Sequence, residues 1–196
     1  MNGKSCFFIG HRETPDTVLP LLQEAVNKHI EDNGVTEFIV GHYGNFDHLA
    51  AKAVISAKQL HPEIALSLLI PYHPAERPIE RPKGFDNTYY PPGMEDVPRK
   101  LAIVRANRYM VDHVDFLIAY AWHPASNARE LVEYAEKKIG KGIIQVTNLA
   151  PLHRNTLYPK VHFLNNFLYF YKKSKQKVLH YLEKSIFQHY NINDDL

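Results

Sequence analysis

Phe38-Ile39-Val40-Gly41-His42-Tyr43-Gly44-Asn45-Phe46-Asp47 is the stretch that decides the fold. A short apolar run, Phe38 to Val40, enters a loop holding Gly41 and Gly44, and a helical pattern opens at His48. The order is strand, glycine loop, helix. Such a loop gathers backbone N–H groups and the positive end of a helix dipole, where an anion, most often a phosphate, binds. Two glycines at this spacing also make an ordinary strand-to-helix turn, so the rest of the chain has to separate the two readings.

Upstream, Lys4 to Gly10 reads as a buried strand, because Cys6-Phe7-Phe8-Ile9 is continuously apolar, as parallel strands are. After the loop His11-Arg12-Glu13, Thr14 is expected to cap a helix with Pro15 at its first position, its apolar face formed by Val18, Leu19, Leu22, Val26 and Ile30 up to Asn33-Gly34. Downstream, the helix after the glycine loop carries Leu49, Ala50, Ala53, Val54, Ala57 and Leu60 inward, with Asp47 placed to cap it. A third strand, Ala65 to Ile70, follows. Pro71 to Pro98 is crowded with prolines and reads as a long, lid-like loop. A helix from about Arg99 to His113 puts Val104, Asn107, Met110 and Val111 on one side; then come a strand, Phe116 to Tyr120, a helix with Leu131, Val132 and Ala135 inward, and a fifth strand, Ile143 to Val146. Five strands alternating with helices predict an α/β fold: a doubly wound, mostly parallel, five-stranded Rossmann-like sheet over residues 1–150.

Composition bounds the partners. Of 23 Lys/Arg and 21 Asp/Glu, residues 151–196 hold seven and three, so the preceding 150 carry sixteen and eighteen. The main domain is near neutral, and no nucleic-acid groove is expected across it. The tail from Pro151 reads as a basic, aromatic helical extension: Phe163, Phe167, Tyr171, Val178, Leu182 and Ile186 make a stripe flanked by lysines, suited to docking on the body or on a second subunit. The single Cys6 forms no internal disulfide and suits a reducing compartment, and no run reaches membrane-spanning length, so a cytoplasmic location is expected.

In an open parallel sheet, ligands bind beyond the carboxyl ends of the strands where the strand order reverses. With the first strand central, the loops starting at His11, Gly41 and Ala121 border one crevice. They hold His11, Arg12 and Glu13, then His42, Asn45 and Asp47, then Trp122, His123, Ser126 and Asn127. The proline-rich segment is long enough to serve as a lid over it, and its Tyr89 and Tyr90 either stack on a base or pack the loop.

Three motifs carry a resemblance to a known family: Phe8-Ile9-Gly10-His11-Arg12, the run Gly41 to Asp47 into Leu49-Ala50, and Asn107-Arg108-Tyr109-Met110-Val111-Asp112 before the fourth strand. In order and spacing the chain resembles the SLOG superfamily, which joins the Smf/DprA-like and Lonely-guy-like proteins, and is nearest its small uncharacterised bacterial branch. The resemblance implies a Rossmann-like fold that binds a nucleotide or nucleotide-derived ligand. Lonely-guy enzymes split a nucleoside monophosphate into base and ribose phosphate, using an Arg before the fourth strand and a Glu in the motif PGGxGTxxE. Arg105 or Arg108 matches the first and Glu130 the second, as catalytic candidates. The glycines of that motif are replaced here by His123-Pro124-Ala125-Ser126, so the backbone approaches a phosphate less closely. Glu130 also stands at capping-box spacing from Asn127, and Arg108 pairs in spacing with Asp112.

The expected ligand residues are therefore Gly10, His11, Arg12, Gly41, His42, Gly44, Asn45, Asp47, Tyr89, His123, Ser126 and Asn127. The reading is binding of a nucleotide-derived small molecule, with sensing or N-glycosidic hydrolysis as its uses; it calls for no cofactor and leaves a homo-oligomer open. A third reading gathers His11, His42, His73 and His123, each just past a strand end, around a divalent metal. No two of them have a recognised ligand spacing.

Overall fold

The computed structural model describes residues 3–139 and 144–150. Six strands, β1 (Lys4–Gly10), β2 (Val35–Val40), β3 (Ala65–Leu69), β4 (Asn87–Tyr89), β5 (Phe116–Tyr120) and β6 (Gln145–Asn148), make one sheet in the order β4-β3-β2-β1-β5-β6. Every neighbouring pair is parallel. The chain works outward from β1 to β4 on one side and resumes on the other side with β5, so the order reverses between β1 and β5.

Alternation along the strands decides which helices cover which face. Cys6, Phe8, Phe38, Val40, Phe116 and Ile118 pack with residues of α1 (Leu19–Asn33) and α2 (Asn45–Lys58). Phe7, Ile39, Leu117 and Ala119 turn the other way, toward α3 (Ala102–His113) and α4 (Asn127–Ile139). Phe7, Phe8, Phe38 and Phe46 are fully buried, and truncating any of them to alanine is expected to cost about 3–5 kcal/mol. Gly34 ends α1 at a φ of 69°, a left-handed turn that glycine adopts without strain. The fold is α/β and Rossmann-like, as expected.

Several local expectations are corrected. The proline-rich segment is not all loop: β4 adds a sixth strand beside β3. Asp86 anchors it, accepting the Leu66 amide at 2.7 Å and Lys58 Nζ at 2.5 Å, while its own amide donates to the Leu66 carbonyl. Thr14 does not cap α1; its hydroxyl donates to the His11 carbonyl, and a 3-10 turn, Asp16–Val18, precedes the helix. Leu60 lies beyond the end of α2 and is exposed, and Val104 is half exposed because Ala102, Ala106 and Met110 form the buried stripe of α3. The last strand begins later than expected, at Gln145. The predicted extension, 151–196, lies outside the described residues. Among those residues no helix is long and apolar enough to cross a membrane.

Candidate functional site

A cavity of about 360 Å³ opens at the carboxyl ends of β1, β2 and β3, on the face covered by α3 and α4. Phe7, Ile9, Leu69, Ile103 and Leu131 give it apolar walls; Arg12, Asp47, Lys100, Asn107 and Asn127 bring polar groups, and Gly10, Gly41, Tyr43 and Gly44 complete the strand-end side. Apolar walls with a few placed polar groups are the usual make-up of a small-molecule site, and this volume falls within the usual range.

The two loops that enter the cavity are stitched together. Gly10 lies under the Phe46 ring so closely that a Cβ there would stand 2.2 Å from it, and a Cβ at Gly44 would stand 2.8 Å from Arg12 Cα. Both glycines are required by close approach. Asn45 completes the join: its backbone amide donates to the Arg12 carbonyl at 2.9 Å, and its side-chain amide donates to the Thr14 carbonyl and to Asp16 Oδ1. That hydrogen-bonding capacity is spent on the fold, although Asn45 was expected to bind ligand.

Asp47 occupies the third position of α2 and reaches back over the glycine loop. Its Oδ2 accepts the Tyr43 amide at 2.9 Å, and the Gly44 amide also donates to the carboxylate. Burial raises its pKa above the ordinary 3.8, and the two amides pull the other way. Asp47 was expected to cap α2, but the N-cap position is Gly44 and no side chain caps the helix; Asp47 instead closes the glycine loop, using amides that a phosphate on this loop would need.

Ser126 opens α4. Its Oγ accepts the Arg129 amide at 3.1 Å and donates to the His123 carbonyl at 2.8 Å. The cap is thus Ser126 rather than Asn127, which moves Glu130 one place past capping-box position. The amides of Asn127 and Ala128 lie in the first helical turn, where the helix supplies no acceptor for them, and both residues border the cavity.

His11 links the loops on either side of the strand-order reversal. Its Nε2 accepts the backbone amides of Trp122 at 3.0 Å and His123 at 3.2 Å, and its ring meets the Trp122 ring edge-on at 5.2 Å. Desolvation first, and the neighbouring His123 second, hold its pKa below 6.5. The Nδ1 atoms of His73 and His123 accept the amides of Ala75 and Ala125. Among the described residues no three His, Cys, Asp or Glu side chains converge on a position that could hold a metal.

Of the expected residues, the cavity gathers Gly10, Arg12, Gly41, Gly44, Asp47 and Asn127. His11, His42, His123 and Ser126 border the same loops without lining it. Tyr89 pairs with Tyr109, ring centroids 6.4 Å apart, on the α3 face of the sheet. Glu130 is exposed on α4. Arg105 and Arg108 line a different hollow, of about 470 Å³, with Pro92, Leu101 and Asp112, and the Arg108 guanidinium lies 4.0 Å over the Tyr134 ring. Sequence reading missed Tyr43, Lys100 and Asn107 as cavity residues. Tyr43 stood inside the quoted loop and Asn107 opened a quoted motif, so both were in view; Lys100 carries no spacing that marks it.

No family model matches the chain, and no curated protein matches it. Among solved structures it is similar to DNA processing protein A (DprA) from Streptococcus pneumoniae, at 16% identity and a TM-score of 0.55, over 84% of this chain. The chain spans 56% of that protein's chain. At this identity the likeness shows the fold alone.

Proposed function

We propose that this cavity binds a nucleotide or nucleotide-derived small molecule. The observation that carries the reading is the pairing, in one cavity at the carboxyl ends of β1, β2 and β3, of cationic Arg12 and Lys100 with Asp47 and two asparagines over an apolar wall. A phosphate is placed best between Arg12, Lys100 and the opening amides of α4, because the Tyr43 and Gly44 amides already serve Asp47. Asp47 then accepts from ribose hydroxyls or a base amino group, and the apolar residues cover the base.

N-glycosidic hydrolysis is the second reading. Its support is that Asp47 is a carboxylate at the cavity with a raised pKa, which suits proton transfer, whereas Glu130 lies away from it. DprA is named for DNA processing, which makes a single-stranded oligonucleotide the proper competitor.

A thermal-shift screen of nucleoside phosphates, with a product assay on each hit and an oligonucleotide arm, tests the reading. A ligand at a hundred times its dissociation constant adds about 2.7 kcal/mol, or roughly 5–10 °C for a chain of this size. A shift without product supports binding alone, and release of free base supports hydrolysis. A chain moved only by the oligonucleotide is not a small-molecule binder.

A further inference from the structure

Beside the cavity mouth, the guanidinium groups of Arg77 and Arg99 both lie over the ring of Tyr72, at 5.4 and 5.6 Å from its centroid. Tyr72 in turn meets the ring of Tyr43 edge-on at 6.5 Å, and Tyr43 is a cavity residue. The chain neighbours repeat the connection: Pro71 and Lys100 line the cavity, next to Tyr72 and Arg99. The charge of Arg77 also reaches His42 and Tyr43, so this arginine of the proline-rich segment stands over the glycine loop.

Two arginines drawn to one ring repel each other, and a carboxylate between them would relieve that. Among the described residues neither forms an ion pair, nor do Arg12 and Lys100; the ion pairs present involve Lys58, His61, Arg129 and Lys138. Both arginines are exposed, and each guanidinium lies within cation–π range of the one ring. The hydroxyl of Tyr43, whose ring meets Tyr72, is buried and makes no hydrogen bond. Positive charge without an ion-pair partner, gathered on one ring beside the mouth of a cavity that already has its own cations, is an arrangement completed by an anion from outside.

Resting on the nucleotide reading, we infer that Arg77, Arg99 and Tyr72 form a second anion subsite, so that the ligand carries at least two phosphate groups. The inner phosphate lies on Arg12 and Lys100, and the outer one on the arginine pair. A nucleoside monophosphate fills the inner position only.

The test is calorimetric titration of the full chain with AMP and ADP, GMP and GDP, inorganic phosphate and pyrophosphate. The wild type should bind each diphosphate at least about tenfold tighter than its monophosphate, since a hydrogen bond to a charged group is worth that much or more. Arg77→Gln and Arg99→Gln should each shrink the ratio, and the double variant should bring it close to one; Arg77→Lys should recover part of it. Unfolding midpoints of the variants identify any loss of fold, and Tyr72→Leu removes the ring shared by the two arginines, a different route to the same loss. A ratio near one in the wild type, or one that survives the double variant, overturns the second subsite while monophosphate binding leaves the nucleotide reading standing. Pyrophosphate binding that depends on both arginines, with no nucleotide binding better, keeps the subsite and removes the nucleotide reading. If none of the probes binds, both fall.

Discussion

His11 Nε2 accepts the backbone amides of both Trp122 and His123, at 3.0 and 3.2 Å, across the point where the strand order reverses. An acceptor nitrogen carries no proton, so this link requires neutral His11 with its proton on Nδ1. The folded-state pKa is lowered, so folding favours the neutral form; the contribution is fully present above 6.5 and is lost as the pH falls below it. Trp122 is the only tryptophan and reports directly. Its emission should change as the pH falls from 7 to 5, and His11→Gln should remove most of that change. His123→Gln should move the transition to higher pH, because the neighbouring charge that lowers His11 is gone. A transition unaffected by His11→Gln contradicts the assignment.

Asp47 gives the opposite sign. Its pKa is raised in the folded chain, so its protonated form is favoured there; the stability this supplies is fully present below 3.8 and is lost as the pH rises through the raised value. The difference in unfolding free energy between wild type and Asp47→Asn should therefore favour the wild type increasingly as the pH falls, and be level near neutrality. A difference that moves toward Asn on acidification would mean that the two amides outweigh burial.

Gly10→Ala should destabilise by about 1–3 kcal/mol, because the new Cβ is driven into the Phe46 ring at a position where β1 and α2 are both fixed. Chemical denaturation gives the value. A loss below about half a kcal/mol would mean that Phe46 moves aside freely.

Arg108→Ala should lower stability by about 0.5–1 kcal/mol through loss of its contact with Tyr134. Tyr134 also donates to Asp112 at 2.7 Å, and Lys138 bonds the same carboxylate, so this cluster ties α3 to α4. Removing Arg108 without any change in midpoint would leave it free for another role.

The sheet was legible because each central strand is a short apolar run closed by a loop residue, and Phe7 and Phe8 on adjacent positions demand cover on both faces. β4 was hidden for a physical reason: its three residues are positioned by Asp86 reaching Lys58 and Leu66, contacts distant in sequence. Strand-end position brought Arg12, Gly41 and Asp47 to the cavity. It did not reveal that Asp47 consumes the loop amides, or that Asn45 is occupied by Thr14 and Asp16, because hydrogen-bond allocation depends on side-chain direction. Arg99 and Lys100 stood at the start of a predicted helix, where periodicity marks the buried face and not which end residues meet a cavity; Arg77 and Tyr72 come from a segment whose prolines give no periodicity to read.

A nucleotide bound in the cavity between Arg12, Lys100 and Asp47 depends on those two cations, which calorimetric titration of the best nucleotide from the screen into wild type, Arg12→Gln and Lys100→Gln measures. Each variant should weaken binding by about tenfold or more while unfolding at the wild-type midpoint, as expected for an exposed cation that contacts a phosphate. Wild-type affinity in both variants would mean that the nucleotide does not bind in this cavity.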